Sequence, residues 1–109
     1  MNSAADSTKS PEPADPTEVR VALVQLCSND DLVGNLERAE AGIREAAERG
    51  ATFVALPENF AYMRREGSAF PCVQGPNGEI LEALSRWSRT HGVWLLGGTF
   101  PERIPDAPP

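Results

Sequence analysis

The sequence has few of the side chains that most often carry out chemistry in proteins. It contains one lysine, Lys9, one histidine, His91, and two cysteines, Cys27 and Cys72. A structural or catalytic metal site needs clustered Cys, His or carboxylate ligands at short spacings, and these residues are too few and too far apart to supply them. We therefore expect no metal and no other cofactor.

Basic charge is also scarce. The chain of 109 residues carries 10 Lys and Arg against 16 Asp and Glu, so its formal net charge is −6. Proteins that bind nucleic acids present a basic patch that displaces counterions from the phosphates, whereas the arginines here are scattered among acids. We expect no nucleic-acid partner.

Long apolar runs are missing as well. No stretch approaches the roughly 18 apolar residues that a membrane-spanning helix needs. The first residues lack the basic and hydrophobic segments of a secretion signal. These features predict a soluble, cytoplasmic protein without a membrane partner, in which the two cysteines are reduced thiols and not a disulfide.

The composition divides the chain into three regions. Residues 1–18 are rich in proline and charge and have almost no large aliphatic side chains, so we expect a disordered leader. Residues 19–104 form one patterned domain. Residues 105–109 are a proline-rich end at which the domain is expected to be truncated.

The patterned domain alternates apolar runs with amphipathic stretches. The runs at 19–26, 52–56 and 93–100 are typical of strands, and the first is continuous enough for a strand that is covered on both faces. The order strand, helix, strand, loop, helix, strand predicts an α/β fold with parallel strands and crossover helices. Strands of this kind in so short a chain indicate that further strands lie elsewhere, in an uncut protein or in a partner.

Two helices are expected between the strands. Ser, Asn and Asp side chains precede the first, and Gly50 follows it as an end signal. Asn77 is the expected N-cap of the second helix, and Gly92 its end. Helical spacing assigns a buried face to each, comprising Leu36, Ala39, Ile43, Ala46 and Ala47 in the first and Ile80, Leu84, Trp87 and His91 in the second.

One acid occupies an unusual position. Glu58 directly follows the strand at 52–56 and Pro57, so it lies at the carboxyl end of a parallel strand. Ligands of open α/β sheets bind at that edge, which makes Glu58 a candidate catalytic base. Taken alone, the pattern also fits a solvated surface acid.

Four motifs in order carry a family resemblance. "VALVQL", a helix with Asn35 and Leu36, "GATFVALPENFAY" and "HGVWLLGGTFPER" resemble the opening of the nitrilase superfamily of carbon–nitrogen hydrolases. Within it they look closest to the Nit-type amidases, which include omega-amidase and deaminated-glutathione amidase. The likeness extends over residues 19–103, nearly the whole patterned domain.

The resemblance implies a fold and a reaction. The fold is an α-β-β-α sandwich, of which this chain would form the N-terminal part. The reaction is hydrolysis of a non-peptide C–N bond in a small amide by a Glu-Lys-Cys triad, with Glu58 as the general base. Asn59, Phe60 and Tyr62 flank Glu58 and are candidates for the wall of the substrate pocket, with ordinary loop packing as the alternative.

The chain departs from the family pattern in the other two triad members. The family's lysine and nucleophilic cysteine lie beyond the strand of the "GGTFPER" motif. Lys9 lies in the leader, and neither Cys27 nor Cys72 is at the nucleophile position. We therefore expect this chain to be inactive alone, and a homo-oligomer is a possibility only for the full-length protein.

Other interpretations stay open. The chain could be a non-catalytic α/β piece, or a module that binds a partner through its open sheet edge. A Cys72–His91 nucleophile pair is a third possibility, although the C-terminal end of a helix is also a favourable place for a histidine without any catalytic role.

Three further features have a structural interpretation. Cys27 is expected to be a small buried apolar side chain. Gly97 and Gly98 are expected to permit a close backbone approach at a strand end. Arg64, Arg65 and Glu66 read as a solvated surface run, with recognition of a substrate carboxylate as the alternative.

Overall fold

A computed structural model describes residues 17–67 and 78–101 of the chain. In these ranges the elements are β1 (Val21–Leu23), α1 (Leu32–Glu48), β2 (Phe53–Ala55), α2 (Glu79–His91) and β3 (Trp94–Leu96). The predicted alternation of strands and helices is confirmed, although each strand is shorter than its apolar run. The leader up to residue 16, Cys72, Asn77 and the proline-rich end lie outside the described residues.

The three strands form one parallel sheet, as predicted, and their order in the sheet is β1-β2-β3. Ala22, Val54 and Leu95 lie in register across it. Both crossovers step across the sheet in the same direction, and crossovers between parallel strands are right-handed, so both helices fall on the same face. We call this side of the sheet the inner face, and the core lies between it and the helices.

Helix α1 has the ends that its sequence predicts. The side chain of Asp31, one of the expected capping residues, accepts a hydrogen bond of 3.1 Å from the backbone N–H of Gly34. Gly50 follows the helix with a φ of 89°, a conformation that favours glycine. The predicted buried face is largely confirmed, because Ala39, Ile43 and Ala46 are buried while Leu36 and Ala47 are half-buried.

Helix α2 begins later than predicted. Its N-cap is Gly78 and not Asn77, so that prediction is wrong, and no side chain within the described ranges caps the helix. Glu79 and Glu82 in the first turn instead face the positive end of the helix dipole. The helix ends at Gly92, as predicted, with a φ of 65°.

The opposite face of the sheet is open in the described residues. We call it the outer sheet face; it is formed by Val21, Leu23, Phe53, Trp94 and Leu96. Trp94 is 77% exposed and Leu23 is 81% exposed. Both helices occupy the same side, so the described residues cover the strands on one face only. The expected covering of the other face by further strands stays a prediction. No helix in the described ranges is long and apolar enough to cross a membrane.

Candidate functional site

Glu58 lies where the sequence predicts it, just beyond the carboxyl end of β2. The backbone N–H of Leu56 donates to the carbonyl of Leu96 at 2.9 Å, so the pairing with β3 continues to the residue before Pro57. Glu58 and Asn59 then form a turn. The Glu58 side chain is exposed, and a shallow concavity at the ends of β1 and β2, lined by residues 23–26 and 55–57, stops one residue before it.

We call residues 57–63 the Glu58 loop, and its first half is fixed by the segment after β3. Asn59 has a φ of 52°, and its backbone N–H donates to the Thr99 hydroxyl at 3.0 Å. Gly98 also has positive φ, and a Cβ atom there would overlap the carbonyl oxygen of Pro57. The predicted close backbone approach is confirmed at Gly98.

The middle of the Glu58 loop is fixed by the core. The ring of Phe60 is fully buried and meets Trp87 edge-on, with 6.4 Å between the ring centroids. The hydroxyl of Ser28, in the segment after β1, donates to the carbonyl of Phe60 at 2.6 Å. The buried ring of Phe60 thus fixes the middle of the loop against the core. A pocket role for Asn59, Phe60 and Tyr62 stays a prediction.

A buried amide that sequence reasoning missed holds the end of the loop. Asn35, on α1, is 1% exposed and is the buried polar residue of the described core. Its Nδ2 donates to the carbonyl oxygens of Asn29 and Ala61, each at 2.7 Å. Its Oδ1 accepts from the Asn29 N–H at 3.2 Å and from the Arg38 guanidinium at 2.6 Å. Both hydrogens and both lone pairs of the amide are therefore in use.

The signal for Asn35 was present in the sequence. Asn35, Ala39, Ile43 and Ala46 share one face of α1 at helical spacing, so Asn35 is a polar residue on a buried stripe. Buried polar groups in proteins are hydrogen-bonded, which points to partners on other segments. The apolar pattern alone did not reveal which segments these are.

Arg65 and Cys27, two of the remaining candidate residues, lie on the surface. Arg65 forms a 2.9 Å salt bridge with Asp30 and its side chain is 79% exposed, which favours the surface interpretation of that run. Cys27 is exposed, so the prediction of a buried thiol is wrong; the residues that alternate with it, Val24 and Leu26, take the inward positions.

His91 joins the two helices. Its Nε2 lies 3.4 Å from Oε2 of Glu40 on α1. The other half of the proposed nucleophile pair, Cys72, lies outside the described residues. In the ranges 17–67 and 78–101, no three His, Cys, Asp or Glu side chains are grouped closely enough to hold a metal ion.

Comparison with known proteins identifies the family. A model of the carbon-nitrogen hydrolase family matches residues 20–108. The chain is 35% identical over 86 residues to omega-amidase NIT2 of Danio rerio, covering 79% of this chain and 31% of that protein. It is 36% identical over 87 residues to the deaminated glutathione amidase of Bos taurus, covering 79% of this chain and 26% of that protein.

The match covers most of this chain but only part of each relative. The human omega-amidase NIT2 is 35% identical over 92 residues, and these again make up 31% of its length. The chain thus spans about a third of the curated relatives that it matches, while the family model covers most of the chain. The chain belongs to the carbon-nitrogen hydrolase family.

Proposed function

We propose that this chain is the N-terminal part of an amidase that hydrolyses the C–N bond of a small amide, with Glu58 as the general base. The observation that carries the proposal is the fixed backbone of the Glu58 loop. Three side chains from other parts of the chain bond to this backbone: Ser28 in the segment after β1, Asn35 on α1 and Thr99 in the segment after β3. Such a scaffold is what a catalytic group needs to keep its geometry.

The proposed chemistry assigns Glu58 one proton. The carboxylate takes the proton from a cysteine thiol as the sulfur attacks the amide carbon, and returns it to the departing ammonia. A lysine ammonium stabilises the oxyanion of the tetrahedral intermediate. Water then cleaves the acyl-thioester to release the acid. The resemblance assigns the lysine and the cysteine to the sequence that follows the "GGTFPER" motif in the family.

Reading the coding sequence beyond Pro109 is the first test. We expect the open frame to continue and to encode a lysine and, after a later strand, a cysteine. An uninterrupted continuation that lacks both would overturn the amidase proposal. We expect the 109-residue chain alone to release no ammonia from amides.

The second test is the rate of ammonia release by the protein encoded by the continued frame. General acid–base catalysis contributes about 10²–10⁴-fold, so we expect Glu58→Gln to lower kcat by about that factor. The relatives' names suggest the amides to try first: deaminated glutathione and small ω-amides. Glu66→Gln, an exposed acid a few residues further along, is the matched control and should keep its activity. Full activity of Glu58→Gln would refute the assignment.

We also propose that a second sheet covers the outer sheet face and completes an α-β-β-α sandwich. The face carries Leu23, Trp94 and Leu96 with most of their surface exposed, and large contiguous apolar patches on soluble proteins mark contact surfaces. Its β-branched and aromatic side chains are suited to packing against another sheet about 10 Å away.

Trp94 supplies a direct assay for the covering sheet. Acrylamide should quench the Trp94 fluorescence strongly in this chain and weakly in the protein encoded by the continued frame. Trp87, at 1% exposed, is the internal control, and the difference between the chain and its Trp94→Phe variant isolates the Trp94 signal. Equal quenching of Trp94 in both proteins would exclude a sheet over this face.

The same exposed face favours a second candidate function. A non-catalytic module could use the face, or the open edge of the sheet, to bind a partner. Light scattering on the purified chain separates the possibilities: self-association or capture by a partner supports a contact surface. A folded, monodisperse monomer would count against both a partner-dependent module and a missing sheet.

A further inference from the structure

We infer that Asn35 is a positioning residue for the Glu58 loop, acting through its side-chain amide and not through substrate. The inference rests on the proposed function of Glu58. Asn35 lies on α1, the element before β2, and its partner Ala61 is 26 positions later in the chain.

The bonding of the amide connects two loops. Nδ2 bridges the carbonyl of Asn29, after β1, and the carbonyl of Ala61, in the Glu58 loop. The same Asn29 carbonyl also accepts from the backbone N–H of Met63 at 2.8 Å. The end of the Glu58 loop is thus bonded to the segment after β1 twice, once directly and once through Asn35.

The chemistry of the side chain is specific. Two N–H donors and two lone pairs of one amide meet four partners, and only Asn or Gln offers that combination. A carboxylate of the same size keeps the acceptors and loses both donors. An apolar side chain would leave the buried carbonyl of Ala61 without its donor, and unsatisfied buried groups are strongly unfavourable.

Asn35 is also oriented from outside the loop. The Arg38 guanidinium donates to Oδ1 at 2.6 Å, which turns Nδ2 towards the two carbonyls. The carbonyl of Phe60, one residue earlier in the loop, is bonded independently by Ser28. Loss of Asn35 should therefore loosen residues 61–63 while the buried ring of Phe60 stays in the core.

Amide hydrogen exchange of this chain tests the inference without any assay of catalysis. The variant is Asn35→Asp, with Asn35→Ala as the second variant if the first does not fold. The structural control is Ile43→Val, a buried substitution on the same helix that destabilises the fold but removes none of the hydrogen bonds of Asn35 or the loop. Chemical denaturation gives the global stability of each variant.

A positioning role has a distinct signature. We expect the Met63 N–H to exchange at least about tenfold faster in Asn35→Asp than the loss of global stability explains, because its local opening becomes easier. In Ile43→Val the exchange of Met63 should change only as far as global stability does. Equal behaviour of the two variants would show that Asn35 is merely a core residue and would overturn the inference.

A double-mutant cycle on the protein encoded by the continued frame separates this inference from the proposed function. If Asn35 acts through Glu58, Asn35→Asp lowers kcat in the native background and has no further effect when combined with Glu58→Gln. KM should stay unchanged. If Glu58→Gln is fully active, the proposed function fails, whatever the exchange data show. If Asn35→Asp slows both backgrounds equally, the positioning role fails and Glu58 stands.

Discussion

Two glycines with nearly the same positive φ make a controlled experiment on how the Glu58 loop is held. Gly92, after α2, has a φ of 65°, and Gly98, after β3, has a φ of 64°. A Cβ at Gly92 meets nothing within 4 Å, whereas one at Gly98 would overlap the Pro57 carbonyl oxygen and lie 2.9 Å from its carbon. Substituting each glycine by alanine therefore separates backbone strain from steric contact.

The expected magnitudes follow from these environments. An L-residue in the left-handed region loses roughly 1–2 kcal/mol. Replacing glycine by alanine recovers about 0.4–1 kcal/mol by restricting the unfolded chain. We expect Gly92→Ala to lower the free energy of unfolding by about 1 kcal/mol. Gly98→Ala adds the overlap, which for overpacked sites is typically about 1–3 kcal/mol, and the overlapped atom is backbone and cannot rotate away.

Urea denaturation followed by tryptophan fluorescence measures the difference. With a denaturant slope of about 1–3 kcal/mol per molar, the midpoint of Gly98→Ala should lie roughly 1 M below that of Gly92→Ala. The exchange rate of the Asn59 N–H, which donates to Thr99, reports whether the loop has moved. Equal midpoints and an unchanged exchange rate of the Asn59 N–H would refute the view that the segment after β3 positions the loop.

Three other predictions concern single residues of the loop and its surroundings. Phe60→Ala removes a fully buried ring and should lower the free energy of unfolding by about 3–5 kcal/mol in the same denaturation assay. Asn59→Gly should be as stable as the native chain or more so, whereas Asn59→Ala should lose roughly 1 kcal/mol, because the φ of 52° suits glycine and asparagine. Cys27 should react with a thiol reagent equally fast in the folded and the urea-unfolded chain, measured in a Cys72→Ser background, whereas strong protection on folding would contradict its exposure.

The order of the elements could be predicted because it depends on local signals. Gly50 and Gly92 act through their own backbone, so sequence alone located the C-terminal end of each helix. For the start of α1 it offered Ser, Asn and Asp candidates, of which Asp31 is the cap. Gly78 was missed because a glycine N-cap gives no side-chain signal. The apolar runs gave the strands, but an apolar run does not say which element covers each side of a strand.

The scaffold of the candidate site could not be read in the same way. Glu58 was located because it follows a strand directly, which is a local feature. The residues that hold its loop bond over long stretches of sequence: Ser28 to Phe60 over 32 positions, and the Asn59 N–H to Thr99 over 40. Contacts of that range depend on the packed fold, and apolar periodicity carries no information on them.

On the proposed function, the position of Glu58 and its enclosure from water depend on different parts of the protein. The backbone of the Glu58 loop is fixed within the described ranges, by α1 and by the segments after β1 and β3. The Glu58 side chain and the outer sheet face, by contrast, are both exposed there. Catalysis by a carboxylate needs both a fixed position and enclosure, because a fixed base in bulk water lacks the dry site in which electrostatic effects are large. Substitutions such as Asn35→Asp should therefore disturb geometry alone, whereas on the proposed function the enclosure of Glu58 is supplied by residues outside the described ranges.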